Sequence, residues 1–287
     1  MTDTSKTFVG HGPIHLTQPE FTQMAKLVYA ACGINLVQSK KVMLESRLGK
    51  RLRALNLTSF KSYIEYLTST AGMDAELIHM IDVVTTNKTD FFREPHHFDF
   101  LAETLLPKFH QQNTSHRPFK IWSSACSSGE EPYTMAMVLQ DFAFQHSSFS
   151  FNVTASDIST QVLQKATTAI YAESQAATIP LVTKKRYFLK SKDQERPTVR
   201  LVPEIRNKVN FVRLNLTENS YKIIEEQDAI FCRNVLIYFD RKTQVEVVRK
   251  LMRQLKPGGH LFIGHSESLH QFDLGLQQIK PTIFIKP

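Results

Sequence analysis

Cysteine is scarce in this 287-residue chain: Cys32, Cys126 and Cys232 form an odd, widely spaced set. That argues against a disulfide framework and offers no metal-ligand spacing, and it points to reduced thiols in a reducing compartment. Long apolar runs are missing too. None approaches the roughly 18 residues needed to span a bilayer. The first ten residues, Met1-Thr-Asp-Thr-Ser-Lys-Thr-Phe-Val-Gly, contain no hydrophobic signal core. A cytoplasmic location is therefore expected, with residues 1–14 as a disordered tail. Internal repeats, low-complexity tracts and heptads are absent. No Lys-Ser/Thr pair follows a glycine-rich loop as a P-loop requires, so a phosphate cradle of that type is excluded.

What is present describes an ordinary globular protein, 42% hydrophobic and 22% charged, long enough for two modest domains. A formal net charge of +8 implies an acidic partner without saying which. The stretch with most chemistry runs from Phe119 to Leu139. It reads as an apolar strand, a turn of small residues from Ser123 to Gly129, and a helix starting at Glu130-Glu131, with Pro132 in its first turn. Such a unit places a nucleotide-like cofactor beyond the carboxyl ends of the strands. Two glutamates at the mouth would repel a pyrophosphate. A cationic or zwitterionic nucleoside fits better, and S-adenosylmethionine is the obvious one. Asp157, at the tip of the next strand (Phe149–Asp157), is placed by its spacing from Gly129 to hold ribose hydroxyls, the plainer role being an Asx-turn or cap residue.

The region 15–90 is expected to be all-helical, since apolar residues recur at three- and four-residue steps in Phe21–Cys32, Val42–Leu55, Phe60–Leu67 and Leu77–Val84. Turns are expected at Gly33, at Asn56-Leu-Thr58 and at Ala71-Gly72, with Thr58 or Ser59 and Asp74 as N-caps. The second helix carries Lys40, Lys41, Arg47, Lys50, Arg51 and Arg53 against Glu45 alone. Leu44, Leu48, Leu52 and Leu55 share one face. The cations fan over the rest, either as a solvated surface or as a docking face for something acidic. A polar loop, Thr85–Thr89, leads to a helix starting at Pro95, so 91–117 is linker and helix and 118–287 an α/β domain. Within that domain, Lys184–Asn207 reads as a hairpin insertion, and Lys256-Pro-Gly-Gly259 as a helix stop and turn. Leu261-Phe-Ile-Gly264 and Thr282-Ile-Phe-Ile285 are expected to close the sheet.

Five motifs in order carry a resemblance: Thr86-Asn-Lys-Thr-Asp-Phe-Phe-Arg-Glu94, Cys126-Ser-Ser-Gly-Glu-Glu-Pro-Tyr133, Ala155-Ser-Asp-Ile158, Phe231-Cys-Arg-Asn-Val-Leu-Ile-Tyr-Phe-Asp240 and Gly264-His-Ser-Glu267. Together they resemble the chemotaxis receptor methyltransferases of the CheR family, over nearly the whole chain. The resemblance implies a class I, Rossmann-like methyltransferase sheet with helices on both faces, a small antiparallel β insertion and an all-α N-terminal domain. It also implies S-adenosylmethionine-dependent methylation of glutamate side chains on the cytoplasmic helices of chemoreceptors.

Carried over by motif, the cofactor contacts are Asn87, Thr89, Arg93, Glu130, Asp157, Asn215, Leu216, Arg233 and Asn234. Arg93 and Tyr238 stand near the reacting groups, and Arg47, Lys50, Arg51 and Arg53 form the receptor-docking face. The inserted hairpin is where some family members capture a receptor tail peptide, but the tip Lys190–Pro197 lacks the glycines expected for that. For several residues a plainer role remains beside the functional one: an ion pair with Glu94 or Glu131 for Arg93, a helix N-terminal charge for Glu130, a turn for Asn215, a buried ring for Tyr238. Leu216 offers backbone and an apolar wall. His96, His97 and His265 read as structural and no metal is expected; Cys126 and Cys232 read as packing. Two other functions fit the composition: an RNA methyltransferase with a basic docking domain, and a non-catalytic protein that senses cofactor and binds receptors.

Overall fold

The computed structural model describes residues 14–221 and 224–287, so the expected tail over 1–14 lies outside the described residues except for Ile14. The chain divides into two compact units, Met1–Thr85 and Thr86–Pro287. The division falls five residues before the expected boundary at 90. It assigns Asn87 and Thr89 to the second unit, where the Ser127 hydroxyl donates to the Asn87 carbonyl at 2.9 Å.

The first unit is helical. Helix Gln18–Cys32 opens with a reciprocal capping box between Thr17 and Glu20 and ends where Gly33 turns left-handed at φ 72°. Helix Lys41–Ala54 buries Leu44, Leu48 and Leu52. Phe60–Thr68 is capped by Ser59 and buries Tyr63, Ile64 and Leu67. Two expectations fail next. Ala71-Gly72 is not a turn but part of a short helix, Thr70–Ala75, capped by Ser69, and Asp74 sits inside that helix. Gly72 is required there because a Cβ would lie 1.9 Å from the Tyr66 carbonyl oxygen. Leu77–Val84 completes the unit.

The basic helix is also corrected. Arg51 makes a two-pronged pair with the buried Glu76 (2.7 and 2.8 Å), which accepts from the Tyr63 hydroxyl as well. Arg47 donates to the carbonyls of Val84 and Thr85. Both cations thus tie the first unit together rather than fanning into solvent. Lys50 and Arg53 remain exposed.

The second unit is a doubly wound sheet. In chain order its strands are β1 (Phe119–Ser123), β2 (Phe151–Asp157), β3 (Ile170–Ala172), β4 (Phe188–Lys190), β5 (Thr198–Leu201), β6 (Val209–Arg213), β7 (Gln227–Cys232), β8 (Leu255–Ile263), β9 (Gln277–Lys280) and β10 (Ile283–Ile285). The main sheet has the order β6-β2-β1-β7-β8-β10-β9. Its first five strands are parallel; β10 runs antiparallel to both β8 and β9. Every residue of β7 is buried, as a strand covered on both faces must be. Ala229 and Phe231 pack into one apolar cluster with Leu101, Leu105, Met135 and Leu139, while Ile230 and Cys232 pack into another with Val247, Val248 and Leu251. Period-2 alternation therefore puts helices on both faces. Phe98, Phe231 and Phe262 stack in sequence at 5.7 and 4.2 Å.

Pro95 starts the helical run ahead of β1, as expected, but the run contains a π-helical turn at Leu101–Leu105, closed by Leu106 N–H donating to the Leu101 carbonyl. Pro107 explains it, because its missing N–H cannot satisfy the Glu103 carbonyl of a regular helix. The insertion is a three-stranded sheet, β3-β5-β4, rather than a bare hairpin. Helix Arg241–Gln254 stops just before Lys256-Pro-Gly-Gly259, but that segment is a bulge within β8, where the register against β7 shifts between Gln227 and Ala229. Among the described residues no helix is long and apolar enough to cross a membrane.

Candidate active site

Strand order reverses between β1 and β7, and the turn after β1 leaves the sheet at this switch point. A buried polar chain fixes its course. Trp122 Nε1 donates to Ser156 Oγ (2.9 Å), Ser156 Oγ to the Ser124 carbonyl (3.1 Å), and the Ser124 N–H and hydroxyl both to the Phe231 carbonyl. Further along, Ser127 N–H donates to Asp157 Oδ2 at 2.9 Å, and the Tyr171 hydroxyl to the Ser128 carbonyl at 2.8 Å. Gly129 then enters helix Glu130–Gln145 at φ 99°. A Cβ there would meet Ala166 Cβ at 2.9 Å and the Tyr133 ring at 3.1 Å, so glycine is needed for dihedral and space alike.

Four non-glycine residues with left-handed backbone surround this turn: Phe92 (φ 54°), Glu94 (57°), Ser127 (48°) and Asn234 (57°). Each conformation is costly and persists only where neighbours hold it, a pattern that clusters at ligand sites.

Glu130 is 1% exposed. Its carboxylate accepts from Ser128 Oγ (2.7 Å) and Gln175 Nε2 (3.4 Å), both neutral donors. Burial raises its pKa above the ordinary glutamate value, and the nearby Asp90 charge adds to the rise. Its neighbour Glu131 accepts from Ser123 Oγ and from Arg233 Nη1 at 3.1 Å. Arg233, its side chain 1% exposed, also lies 3.3 Å from Glu94 Oε2 and donates to the Arg93 carbonyl. The guanidinium is thus an internal tie between three loops, which leaves the backbone of Arg233 for the expected cofactor contact. The same pairing bears on the alternative for Arg93, whose charge still acts on Glu131. Glu94 and Glu131 are both engaged by Arg233, and the Arg93 guanidinium donates instead to the Lys88 carbonyl at 3.0 Å.

The other expected site residues divide. Asp157 Oδ1 accepts from Ser159 N–H (3.0 Å) while Oδ2 holds Ser127, so the Asx-turn is present and braces the first loop at the same time. Asn87 and Thr89 are half-buried on the segment that meets Ser127. Asn215 Oδ1 accepts from both Thr217 N–H and Thr217 Oγ1, the turn role. Leu216 is buried, and its carbonyl accepts from the Tyr221 hydroxyl and Lys250 Nζ. Asn234 Nδ2 donates to Glu94 Oε1 (3.3 Å). Tyr238 is half-buried rather than a core ring, in the short helical turn Leu236–Tyr238. Cys126 and Cys232 are fully buried, and burial raises both thiol pKa values, so neither is a nucleophile.

Glu94, His96 and His97 offer three ligand atoms within 4.8 Å of one another. The Arg233 guanidinium beside Glu94 disfavours a cation there, and His97 Nε2 is bonded to Thr282 Oγ1 at 2.7 Å. Sequence reasoning passed over Ser156, Tyr171, Gln175 and Glu267 as parts of the site. These contacts span 30 or more residues; Ser156 and Glu267 fall inside two of the motifs, but nothing local gives them a role in the site.

Residues 87–285 match the family model for the CheR methyltransferase SAM binding domain, and residues 19–85 match that for the CheR methyltransferase all-alpha domain. The chain belongs to the CheR methyltransferase family. Its relatives include a chemotaxis protein methyltransferase from Borreliella burgdorferi, 38% identical over 95% of this chain and 96% of its own. Another, from Salmonella typhimurium, is 41% identical over 88% of this chain and 85% of its own. This family member is a chemotaxis protein methyltransferase, and its cofactor is S-adenosylmethionine. The residues present fit it: Glu130 is a buried carboxylate whose hydrogen bonds among the described residues come from neutral donors, a setting compatible with an ammonium.

Proposed function

We propose that the protein transfers the methyl group of S-adenosylmethionine to glutamate side chains on the cytoplasmic helices of chemoreceptors, forming methyl esters. The observation that carries this reading is the division of charge at the cleft. Arg233 makes the close ion pairs with both Glu94 and Glu131, whereas the Arg93 guanidinium, bonded to the Lys88 carbonyl, lies in no close ion pair among the described residues, which leaves it to serve an anionic group brought in from outside.

When bound, the cofactor supplies an electrophilic methyl on a sulfonium. Glu130 takes its ammonium, Asp157 its ribose, and Asn87, Thr89, Asn215, Leu216 and Asn234 complete the binding walls. A glutamate side chain, with an ordinary pKa of about 4.3, reaches the site already ionised, so no general base is called for. Arg93 steers that carboxylate, and the Tyr238 hydroxyl orients one of its oxygens. Alignment of this kind supplies roughly 7–11 kcal/mol when the reacting atoms are held close and in line. Arg93 must guide the carboxylate without clamping it, since a tight ion pair would lower its reactivity.

Docking on an acidic receptor bundle falls to the exposed Lys50 and Arg53 of helix Lys41–Ala54. Tail-peptide capture by strand addition would use β4, a three-residue strand at the end of the insertion sheet. The deciding experiment is transfer of label from radiolabelled S-adenosylmethionine to a receptor cytoplasmic fragment. Base-labile label on the receptor supports the ester. RNase-sensitive label would replace it with RNA methylation, and no label at all would leave a non-catalytic cofactor sensor.

A further inference from the structure

The turn at the end of β8, Gly264-His265-Ser266-Glu267, meets the turn that carries Asn234 and Tyr238 through the Glu267 carboxylate, which bonds that turn's backbone. Glu267 is 8% exposed. One of its oxygens accepts from Leu236 N–H at 2.7 Å, the other from Asn234 N–H at 3.0 Å and from Gly264 N–H. No cation pairs with it among the described residues; the charge rests on backbone N–H groups converging from two turns.

Gly264 allows the approach. A Cβ there would lie 2.5 Å from Asn234 Nδ2, 2.7 Å from Asn234 N and 2.9 Å from Glu267 Oε2. The same turn reaches the third loop of the cleft, since His265 N–H donates to Glu94 Oε1 at 3.2 Å. Asn234 stands at φ 57°, a conformation that asparagine tolerates but does not hold unaided. Glu267 bonds the N–H of that very residue and the next but one, which is where a strained turn needs support.

We propose that Glu267 is a positioning residue of the methyl-transfer reaction: its carboxylate sets the course of the Asn234–Tyr238 turn and so the placement of the Tyr238 hydroxyl. This rests on the reading of Tyr238 given above. A glutamine at 267 has one acceptor oxygen, and its NH2 must face at least one backbone N–H. The turn has to move. Hydrogen bonds to a charged group contribute about 1.5–3 kcal/mol each.

The test compares Glu267→Gln, Tyr238→Phe and the double variant in the full chain, at a temperature where near-UV circular dichroism shows each to be folded. Activity is read as label transfer to a receptor cytoplasmic fragment, and cofactor binding as calorimetric affinity for S-adenosylhomocysteine. Glu267→Gln is expected to lower kcat about tenfold or more, with a clearly smaller loss of affinity through Asn234, because Glu130 and Asp157 still hold the ligand from other loops. The double variant should lose little beyond Tyr238→Phe. A folded Glu267→Gln protein with kcat within about twofold of wild type overturns the proposal, as do losses that multiply in the double variant. If Tyr238→Phe alone leaves kcat unchanged, the assignment of Tyr238 is at fault, and the brace stands or falls on kcat of Glu267→Gln alone.

Discussion

Replacing Glu130 with glutamine separates cofactor recognition from folding. This carboxylate is 1% exposed and accepts from Ser128 Oγ, Gln175 Nε2 and backbone, and burial raises its pKa. An ammonium arriving beside it would form a buried, hydrogen-bonded charge pair, and removing one partner of such a pair costs about 2–3 kcal/mol at the low end of its range. At about 1.4 kcal/mol per tenfold, Glu130→Gln should weaken S-adenosylhomocysteine binding roughly 30- to 150-fold.

The pH dependence has a definite sign. Below the raised pKa the carboxyl must release its proton before pairing, so wild-type Kd should rise by up to about tenfold per pH unit as pH falls, and level off above. The variant should lack this component. Stability moves the other way. A folded-state pKa above the unfolded value contributes stability that is complete below the unfolded pKa and lost as pH rises through the folded one. Without ligand, Glu130→Gln should therefore melt no lower than wild type at neutral pH. Calorimetric titrations from acid to neutral pH, with thermal melts alongside, measure both. A variant Kd within about threefold of wild type, or a pH profile the variant shares, would refute the ammonium pairing.

Other substitutions separate the remaining roles. Arg51→Met should destabilise the first unit by about 3 kcal/mol in denaturant melts, because it strands the buried Glu76, whereas Arg53→Glu should leave melts unchanged and weaken receptor methylation; equal melts for both would contradict the structural role of Arg51. His97, fully buried with its pKa pushed down to about 2 from 6.5 by burial and nearby cations, must stay neutral in the fold. Stability should fall as pH drops below about 6.5, and His97→Gln should flatten that acid limb; an unchanged slope would show that His97 does not carry it. Gly129→Ala forces a side chain into φ 99° against Ala166 and Tyr133, at a cost of about 1–3 kcal/mol, and should abolish measurable cofactor binding before it unfolds the protein; wild-type affinity would mean the turn tolerates a different path.

Much of this was legible in the chain. Helical periodicity located most helices of the first unit because each buries a regular apolar face, as Leu44, Leu48 and Leu52 do. The strand, small-residue turn and acidic helix start around Gly129 were legible too, since dihedral and close-approach demands leave a local imprint. What could not be read is non-local or too short. Arg51 looked like a docking cation because its partner Glu76 is 25 residues away. The three residues of β3 are too few to show alternation, so the insertion read as a hairpin. Lys256-Pro-Gly-Gly259 carries turn chemistry, and only pairing with β7 makes it a bulge. Glu267 closes the Gly264–Glu267 motif, but its part as a brace comes from backbone groups about 30 residues upstream.

The most direct measurement is a crystal structure with S-adenosylhomocysteine bound. The amino group is expected against the Glu130 carboxylate, the ribose at Asp157, and the sulfur facing Arg93 and Tyr238. A ligand whose amino group avoids Glu130, or whose sulfur turns away from Arg93 and Tyr238, would contradict the account.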